Sequence, residues 1–122
     1  MKTILLVEDD PDIREVTAEI LREVGYDVRE AEDGAGALAM LKRMTEVPCL
    51  VLLDLSMPVM TGQELLKQLK LDPRFARLPV VVVSGAGWTH ADVPDANDFI
   101  SKPPSVAQLL QVVRDYCDRG EA

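Results

Sequence analysis

The sequence lacks the long apolar runs that membrane-spanning helices require. None of its apolar runs approaches the roughly 20 residues that a membrane-spanning helix needs. The first residues, MKTILLVEDD, become acidic too early for a secretory signal peptide. We therefore expect a cytoplasmic protein that makes no contact with the membrane.

Cysteine and histidine are also scarce. The only cysteines are Cys49 and Cys117, and their spacing matches neither a metal site nor the dense cysteine framework of small secreted proteins. We expect both to be reduced thiols packed in the interior. The single histidine, His90, has no second histidine to join it in a metal site, and we interpret it as a surface residue.

Positive charge is in short supply. The chain has 13 lysine and arginine residues against 21 aspartate and glutamate residues, which gives a net charge of -8. Such a surface repels the phosphates of nucleic acids and anionic lipids. Direct binding to nucleic acid is therefore disfavoured, and a basic protein partner or a bound cation fits the charge better.

What the sequence does contain is a regular alternation of strand and helix patterns. Continuous apolar runs at 4–7, 50–53 and 80–83 predict strands buried on both faces, and 27–31 and 98–101 predict two weaker strands. Apolar residues at helical spacing lie between them. After Pro11, the stripe of the first helix consists of Ile13, Val16, Ile20, Leu21 and Val24. This alternation predicts a doubly wound α/β fold with a parallel sheet and helices on both faces.

The length supports a single unit. At 122 residues the chain is close to the commonest size of one domain. We expect one domain over residues 1–122, in which 118–122 form a polar tail or the start of a linker.

Side chains with carboxylate, hydroxyl or ammonium groups follow four of the predicted strands. Glu8 and Asp9 follow the first, Asp54 follows the third, Ser84 follows the run of the fourth, and Lys102 follows the fifth. The carboxyl ends of parallel strands meet at one edge of the sheet, and the crevice outside that edge is where ligands bind in open α/β sheets. These side chains should therefore form one site.

The chemistry of this set points to a cation and an anion together. Three converging carboxylates would repel one another unless a cation lay among them, and their hard oxygen atoms suit Mg²⁺. Lys102 can face the anionic cluster, and Ser84 beside Gly85 leaves room for a bulky anion and can donate to it. We interpret Asp10 and Asp12, at the start of the first helix, as ordinary helix-capping residues.

The order in which these side chains follow the strands resembles that of the receiver domain of two-component response regulators. The resemblance is carried by LLVEDDPDIR, LVLLDLSMPVMTG, VVVVSGAG and FISKP, and it extends over nearly the whole chain. It implies a flavodoxin-like (CheY-like), five-stranded parallel sheet of order 2-1-3-4-5. It also implies a bacterial signalling switch rather than an enzyme.

The resemblance assigns a role to each acidic residue. Asp54 matches the phosphoacceptor, which takes a phosphoryl group from a phosphohistidine of a histidine kinase or a histidine phosphotransfer protein. Asp9 and Asp54 match the Mg²⁺ ligands, together with Glu8 through water and the backbone carbonyl of Ser56. A downstream protein effector would then read the phosphorylated state.

The remaining implied roles concern the phosphoryl group and the switch. Lys102 and Ser84 would contact the phosphoryl oxygens. Phe99 lies three residues before the lysine, where the family has a rotating aromatic switch residue. An ordinary core phenylalanine fits Phe99 equally well.

One segment departs from the family pattern. The stretch SGAGWTHADVPDANDFISK, from 84 to 102, contains two glycines and a proline and has no apolar stripe of helical period. Receivers usually have a fourth helix here, so we expect that helix to be shortened or replaced by loop. Trp88 in this stretch fits either an exposed anchor for a partner or a lid packed over the loop.

Two alternatives stay open from the sequence, and a third is disfavoured by it. The chain could be a receiver-like binding module that works without phosphorylation. It could be a Mg²⁺-dependent phosphatase with an aspartate nucleophile, although Ser56 stands where such enzymes usually have a second acid. A flavin-binding module is disfavoured because the acidic EDDPD loop would repel a phosphate.

Overall fold

Strands and helices alternate along the chain. A computed structural model of the protein describes residues 2–55, 60–85 and 87–118. The strands are β1 (Thr3–Val7), β2 (Asp27–Ala31), β3 (Leu50–Leu53), β4 (Val80–Ser84) and β5 (Asp98–Ser101). The helices are α1 (Pro11–Glu23), α2 (Gly34–Arg43), α3 (Gly62–Leu71) and α4 (Val106–Cys117). None of the helices in these three ranges combines the length and the apolar character that crossing a membrane requires.

The five strands form one parallel sheet in the order β2-β1-β3-β4-β5. This is the predicted flavodoxin-like order, and it puts β3 in the centre. Val7 at the end of β1 pairs with Leu53 at the end of β3, and Ser84 pairs with Ser101 at the ends of β4 and β5. The residues that follow these strands therefore emerge side by side at one edge.

Helices cover both faces of the sheet. Val51 and Leu53 of β3 pack into a core with α2 and α3, whereas Leu50 and Leu52 pack into a second core with α1 and α4. All four side chains are buried, as the continuous apolar run predicts. Because the central strand is enclosed on both faces, its end is a rigid support for the residue that follows it.

Helix α1 buries less of its apolar stripe than the spacing predicts. Leu21 is buried, but Ile13, Val16 and Val24 are 43%, 56% and 49% exposed. The line of contact with the sheet runs through Ala18 and Leu21, so the other apolar residues lie on the flank of the helix or past its end. An apolar surface therefore remains open along α1.

The segment between β4 and β5 holds only one turn of 3₁₀ helix, His90–Asp92. This confirms, for the described residues of the segment, that a full helix is missing. Val93 and Ala96 are buried in the core with α2 and α3, and Trp88 is partly buried against the same core. Trp88 therefore fits a lid better than an exposed anchor, whereas His90 is exposed, as we expected from the sequence.

The two cysteines form a disulfide, so the prediction of two reduced thiols is wrong. Cys49 lies just before β3 and Cys117 ends α4, 68 positions later. Helix α4 runs back across the sheet from its carboxyl edge, and its last turn therefore reaches the start of β3. The crossover brings together two residues whose sequence spacing gives no sign of pairing.

Reduction of this disulfide should destabilise the protein. A crosslink across 68 positions restricts the unfolded chain, and we expect its loss to lower the free energy of unfolding by about 4 kcal/mol. Urea unfolding with and without dithiothreitol measures the change. In the Cys49→Ser/Cys117→Ser variant dithiothreitol should have no effect, and an unchanged midpoint for the wild type would contradict the prediction.

Candidate functional site

The carboxylates of Glu8, Asp9 and Asp54 come together at the carboxyl edge of the sheet. The backbone N–H of Asp54 donates to the carbonyl of Val7 (3.0 Å), so the end of β3 is held against the end of β1. One oxygen atom from each carboxylate lies within 4.8 Å of the other two. Glu8 and Asp54 are only 4% and 6% exposed, whereas Asp9 is exposed. The structure thus brings together the three acidic residues that the sequence singles out.

Lys102 reaches this cluster from the neighbouring pair of strands. Its backbone N–H donates to the carbonyl of Ser84 (2.9 Å), which continues the pairing of β4 and β5. Its Nζ lies 2.5 Å from Oε1 of Glu8 and 3.6 Å from Oδ2 of Asp54. The peptide bond from Lys102 to Pro103 is cis. One ammonium group therefore contacts both buried carboxylates.

Burial and charge act on this pair in different ways. Burial raises the pKa of Glu8 above its ordinary value, the charge of Asp54 raises it further, and the hydrogen bond from Lys102 opposes both. Burial alone would lower the pKa of Lys102, but the hydrogen bond to Glu8 and the charges of Asp54 and Glu8 outweigh it and raise that pKa. The two shifts differ in origin, because burial dominates at Glu8 and the ionic partners dominate at Lys102. The lysine therefore stays charged at neutral pH.

Ser84 presents a hydroxyl group at the same edge. The residue is 1% exposed, and within the described part of the chain its Oγ has no hydrogen-bond partner. A buried hydroxyl without a partner is costly, so such a group in a native protein calls for an explanation. An anionic oxygen brought into the site would supply the missing acceptor.

The loop after Asp54 is held at both of its described ends. The N–H of Gly62 donates to the carbonyl of Leu55 (3.1 Å), and the N–H of Gly34 donates to the carbonyl of Met60 (3.2 Å). A Cβ atom on Gly62 would overlap the carbonyl of Asp54, and one on Gly34 would overlap Met60. Sequence reasoning missed this requirement for two glycines. Ser56, the predicted carbonyl ligand, lies outside the described residues.

Phe99 and the aspartates before α1 belong to the surroundings of the cluster. Phe99 is partly buried and packs against the core with α2 and α3. Asp10 is the N-cap of α1, and its Oδ1 accepts hydrogen bonds from the N–H groups of Asp12 (2.9 Å) and Ile13 (3.2 Å). The capping interpretation of Asp10 therefore agrees with the structure.

An apolar cavity of about 260 Å³ opens beside the cluster, between α1 and α4. Ile13 and Thr17 of α1, Leu109 of α4 and Pro103 line its walls, and it extends to the side chain of Lys102. The charged edge of the sheet therefore continues directly into an apolar surface.

Comparison with known proteins identifies the family. Residues 4–114 match the family model of the response regulator receiver domain. The chain belongs to this family. It is therefore a receiver domain of two-component signal transduction, a family of signalling domains.

Individual relatives agree with this assignment. The phosphate regulon regulatory protein PhoB of Pseudomonas aeruginosa is 36% identical over 93% of the chain and 52% of its own length. The receiver domain of a signal transduction histidine kinase from Syntrophus aciditrophicus is 30% identical, with a TM-score of 0.87 over 99% of this chain and 93% of that one. The phosphorylated cyanobacterial phytochrome response regulator RcpA is 31% identical, with a TM-score of 0.78 over 94% and 93% of the two chains. The chain spans about half the length of most of the curated relatives that it matches.

Replacing Lys102 with methionine should destabilise the protein. The substitution keeps an apolar stem but leaves the carboxylates of Glu8 and Asp54 without their ammonium partner. In the absence of divalent metal we expect the free energy of unfolding to fall by about 2 kcal/mol, between the values typical of exposed and of fully buried ion pairs. Urea unfolding measures it. The matched control is Lys67→Met at an exposed position of α3, and equal losses in both variants would contradict the role of the pair.

Proposed function

We propose that Asp54 is the phosphoacceptor of a bacterial two-component phosphorelay. The observation that supports this most directly is the convergence of three carboxylates and one ammonium group on the end of the central strand. Asp54 sits on a rigid, buried support, and its carboxylate faces the crevice where ligands bind in this fold. The phosphorylated state of the relative RcpA is consistent with this role.

The acidic cluster fits a magnesium ion. Its three carboxylates supply hard oxygen atoms within 4.8 Å of one another, and Lys102 balances only one of their charges. Asp9 and Asp54 would hold the ion directly, with Glu8 acting through water and the carbonyl of Ser56 completing the protein ligands. When bound, the ion supplies positive charge to the phosphoryl oxygens.

The chain's own residues then act on the phosphoryl group. A carboxylate oxygen of Asp54 attacks the phosphorus of a phosphohistidine, a P–O bond forms, the P–N bond breaks, and the histidine leaves with the electron pair. The ammonium group of Lys102 binds an oxygen of the transferred group, and the hydroxyl of Ser84 donates to another. This contact would give the buried Ser84 Oγ the acceptor that no described residue provides.

The contact between Ser84 and the phosphoryl group would also link phosphorylation to a change in packing. Movement of Ser84 toward the phosphoryl group would change the packing beside Phe99, which is paired across the sheet with Val82, two residues before Ser84. Phe99 has no hydroxyl group, so its inward and outward positions would differ in apolar contact alone. A downstream protein effector would read the difference.

The donor is proposed to be a histidine kinase or a histidine phosphotransfer protein in the cytoplasm. Ile13 lines the cavity beside the cluster and is 43% exposed, and Val106 at the start of α4 is 52% exposed, which suits a protein partner better than a small molecule. The charge of -8 disfavours direct contact with nucleic acid by residues 1–122. We propose that these residues form a single switch domain, which carries out no sustained turnover of a substrate.

Magnesium binding should depend on Asp9. Changing Asp9 to asparagine replaces one of three carboxylate ligands with a neutral amide, and we expect Mg²⁺ affinity to fall at least about tenfold. Titration calorimetry measures it. The control is Asp12→Asn, an exposed aspartate in the first turn of α1, which should bind Mg²⁺ as the wild type does. Equal Mg²⁺ affinity in the wild type, Asp9→Asn and Asp12→Asn would show that Asp9 is not a ligand of the metal.

Phosphorylation should require both Asp54 and Mg²⁺. Incubation with Mg²⁺ and acetyl phosphate should add one phosphoryl group to the wild type and to Asp12→Asn, but none to Asp54→Asn or to a metal-free sample. Intact-protein mass spectrometry measures the adduct. Its absence from a folded wild type that binds Mg²⁺ would favour a phosphorylation-independent binding module. Sustained hydrolysis of a small phosphate ester would instead favour the phosphatase.

A further inference from the structure

The Cys49–Cys117 disulfide lies at the end of the sheet opposite to the acidic cluster. Cys49 comes just before β3, whose other end leads to Asp54, and Cys117 is the last residue of α4. Cys117 is 4% exposed, whereas Cys49 is less deeply buried. The bridge is therefore approachable from the side of Cys49.

Both cysteines line an open groove of about 540 Å³. This volume is within the range of about 300 to 1,000 Å³ that is typical of sites for small ligands. Tyr116 and Pro79 contribute other parts of its wall. The disulfide is thus part of a surface that a small molecule can enter.

The groove is positively charged on a protein of opposite overall charge. Lys2, Arg74 and Arg77 line it together with the cysteines, and none of the acidic residues within 2–55, 60–85 and 87–118 does. Lys2 is 3.6 Å from a carboxylate oxygen of Asp118, which offsets part of its charge. Arg74 donates to the backbone carbonyls of Lys42 and Met44 and therefore stays fixed at the rim.

Among the described basic residues of the groove, Arg77 is the one available to bind a ligand. The residue is exposed, and its guanidinium makes no hydrogen bond or ion pair with any described residue. A planar guanidinium with five donors suits a carboxylate ligand. The groove thus combines a disulfide whose Cys49 is only partly buried with a carboxylate-binding side chain.

We propose that this groove is a thiol-exchange site, which takes an anionic low-molecular-weight thiol of the glutathione class. The inference concerns the amino edge of the sheet and does not depend on phosphorylation of Asp54. In the cytoplasm, disulfides are usually redox-active rather than permanent, which fits an exchangeable bridge at this position.

The reaction is an ordinary thiol–disulfide exchange. The ligand's thiolate attacks Sγ of Cys49, a new S–S bond forms between them, and the Cys49–Cys117 bond breaks with Cys117 leaving as a thiolate. A second ligand thiolate attacks the ligand sulfur of the mixed disulfide and releases the oxidised ligand and the Cys49 thiolate. The two ligand molecules are oxidised and the protein is reduced by two electrons.

Neighbouring groups favour this direction of attack. The ammonium group of Lys2 donates to the carbonyl of Cys117, so a positive charge lies close to the leaving thiolate. Sγ of Cys49 lies 3.3 Å from the carbonyl oxygen of Thr3, which is an acceptor for the thiol once the released Cys49 thiolate has taken up a proton from water. Both products of the exchange therefore have partners.

Overall charge and local charge predict opposite ligand preferences. A protein of charge -8 should on average repel an anionic thiol. The groove should instead attract one, and Arg77 should carry much of that attraction. Comparing an anionic thiol with a neutral one, in matched variants, separates the two effects.

The experiment measures the rate of reduction of the bridge by glutathione and by 2-mercaptoethanol at low ionic strength. Each rate constant is expressed per thiolate, and the reduced protein is trapped by alkylation and quantified by intact mass. The ratio of the two rate constants is compared among wild type, Arg77→Glu and Lys67→Glu. Arg77→Glu and Lys67→Glu change the net charge equally, but Lys67 lies on α3 and does not line the groove.

We expect the glutathione to 2-mercaptoethanol ratio to fall roughly tenfold in Arg77→Glu and to stay unchanged in Lys67→Glu. In the wild type, 0.5 M salt should reduce the ratio toward that of Arg77→Glu. An equal ratio in all three proteins would overturn the proposal. An equal fall in both variants would also overturn it, since that result would reflect net charge alone.

Discussion

The pairing of β1 with β3 is the constraint on which the rest of the site depends. Parallel pairing of Val7 with Leu53 brings the next residues of both strands out at the same edge. Glu8 and Asp54 stay close together, because the strands that carry them are buried on both faces and fixed in place. The backbone hydrogen bonds between these strands therefore hold the two like charges together.

Lys102 offsets part of the repulsion between these carboxylates but does not neutralise their total charge. One ammonium group contacts two buried carboxylates, and a third carboxylate, that of Asp9, remains exposed beside them. The excess negative charge lowers stability, and a bound cation would offset it. Ser84 adds a second imbalance of this kind, because its buried hydroxyl lacks an acceptor among the described residues. Both features make sense as parts of a site that is completed by its ligands.

The carboxyl edge and the amino edge of the sheet carry different chemical groups, although the same strands and helices run between them. At the carboxyl edge the loops bring acidic residues together, whereas at the amino edge the start of β3 and the last turn of α4 are covalently linked through Cys49 and Cys117. Among the described residues between β4 and β5, one 3₁₀ turn with a partly buried Trp88 replaces a helix. A partner that recognises a full helix at this position would therefore meet a different surface here.

Local patterns in the sequence were sufficient to predict most of the framework. Continuous apolar runs mark buried strands, because both faces of such strands are covered, and the residue that follows each run must lie at the sheet edge. Glu8, Asp54, Ser84 and Lys102 could therefore be assigned to one edge before any coordinates were known. The absence of a full helix from the described residues between β4 and β5 was equally predictable, because this segment has no apolar stripe.

Apolar runs and the family resemblance were thus enough to predict the strands, the strand order and the acidic edge. The packing of whole elements, which the sequence pattern does not give, bonds Cys49 to Cys117 and leaves Ile13 and Val16 of α1 exposed. It also buries the hydroxyl of Ser84 without an acceptor among the described residues. The physical reason is how far apart along the chain the interacting residues lie. A strand or helix follows from neighbours within a few positions, whereas a bond across 68 positions and the exposed fraction of a helix face depend on how whole elements pack.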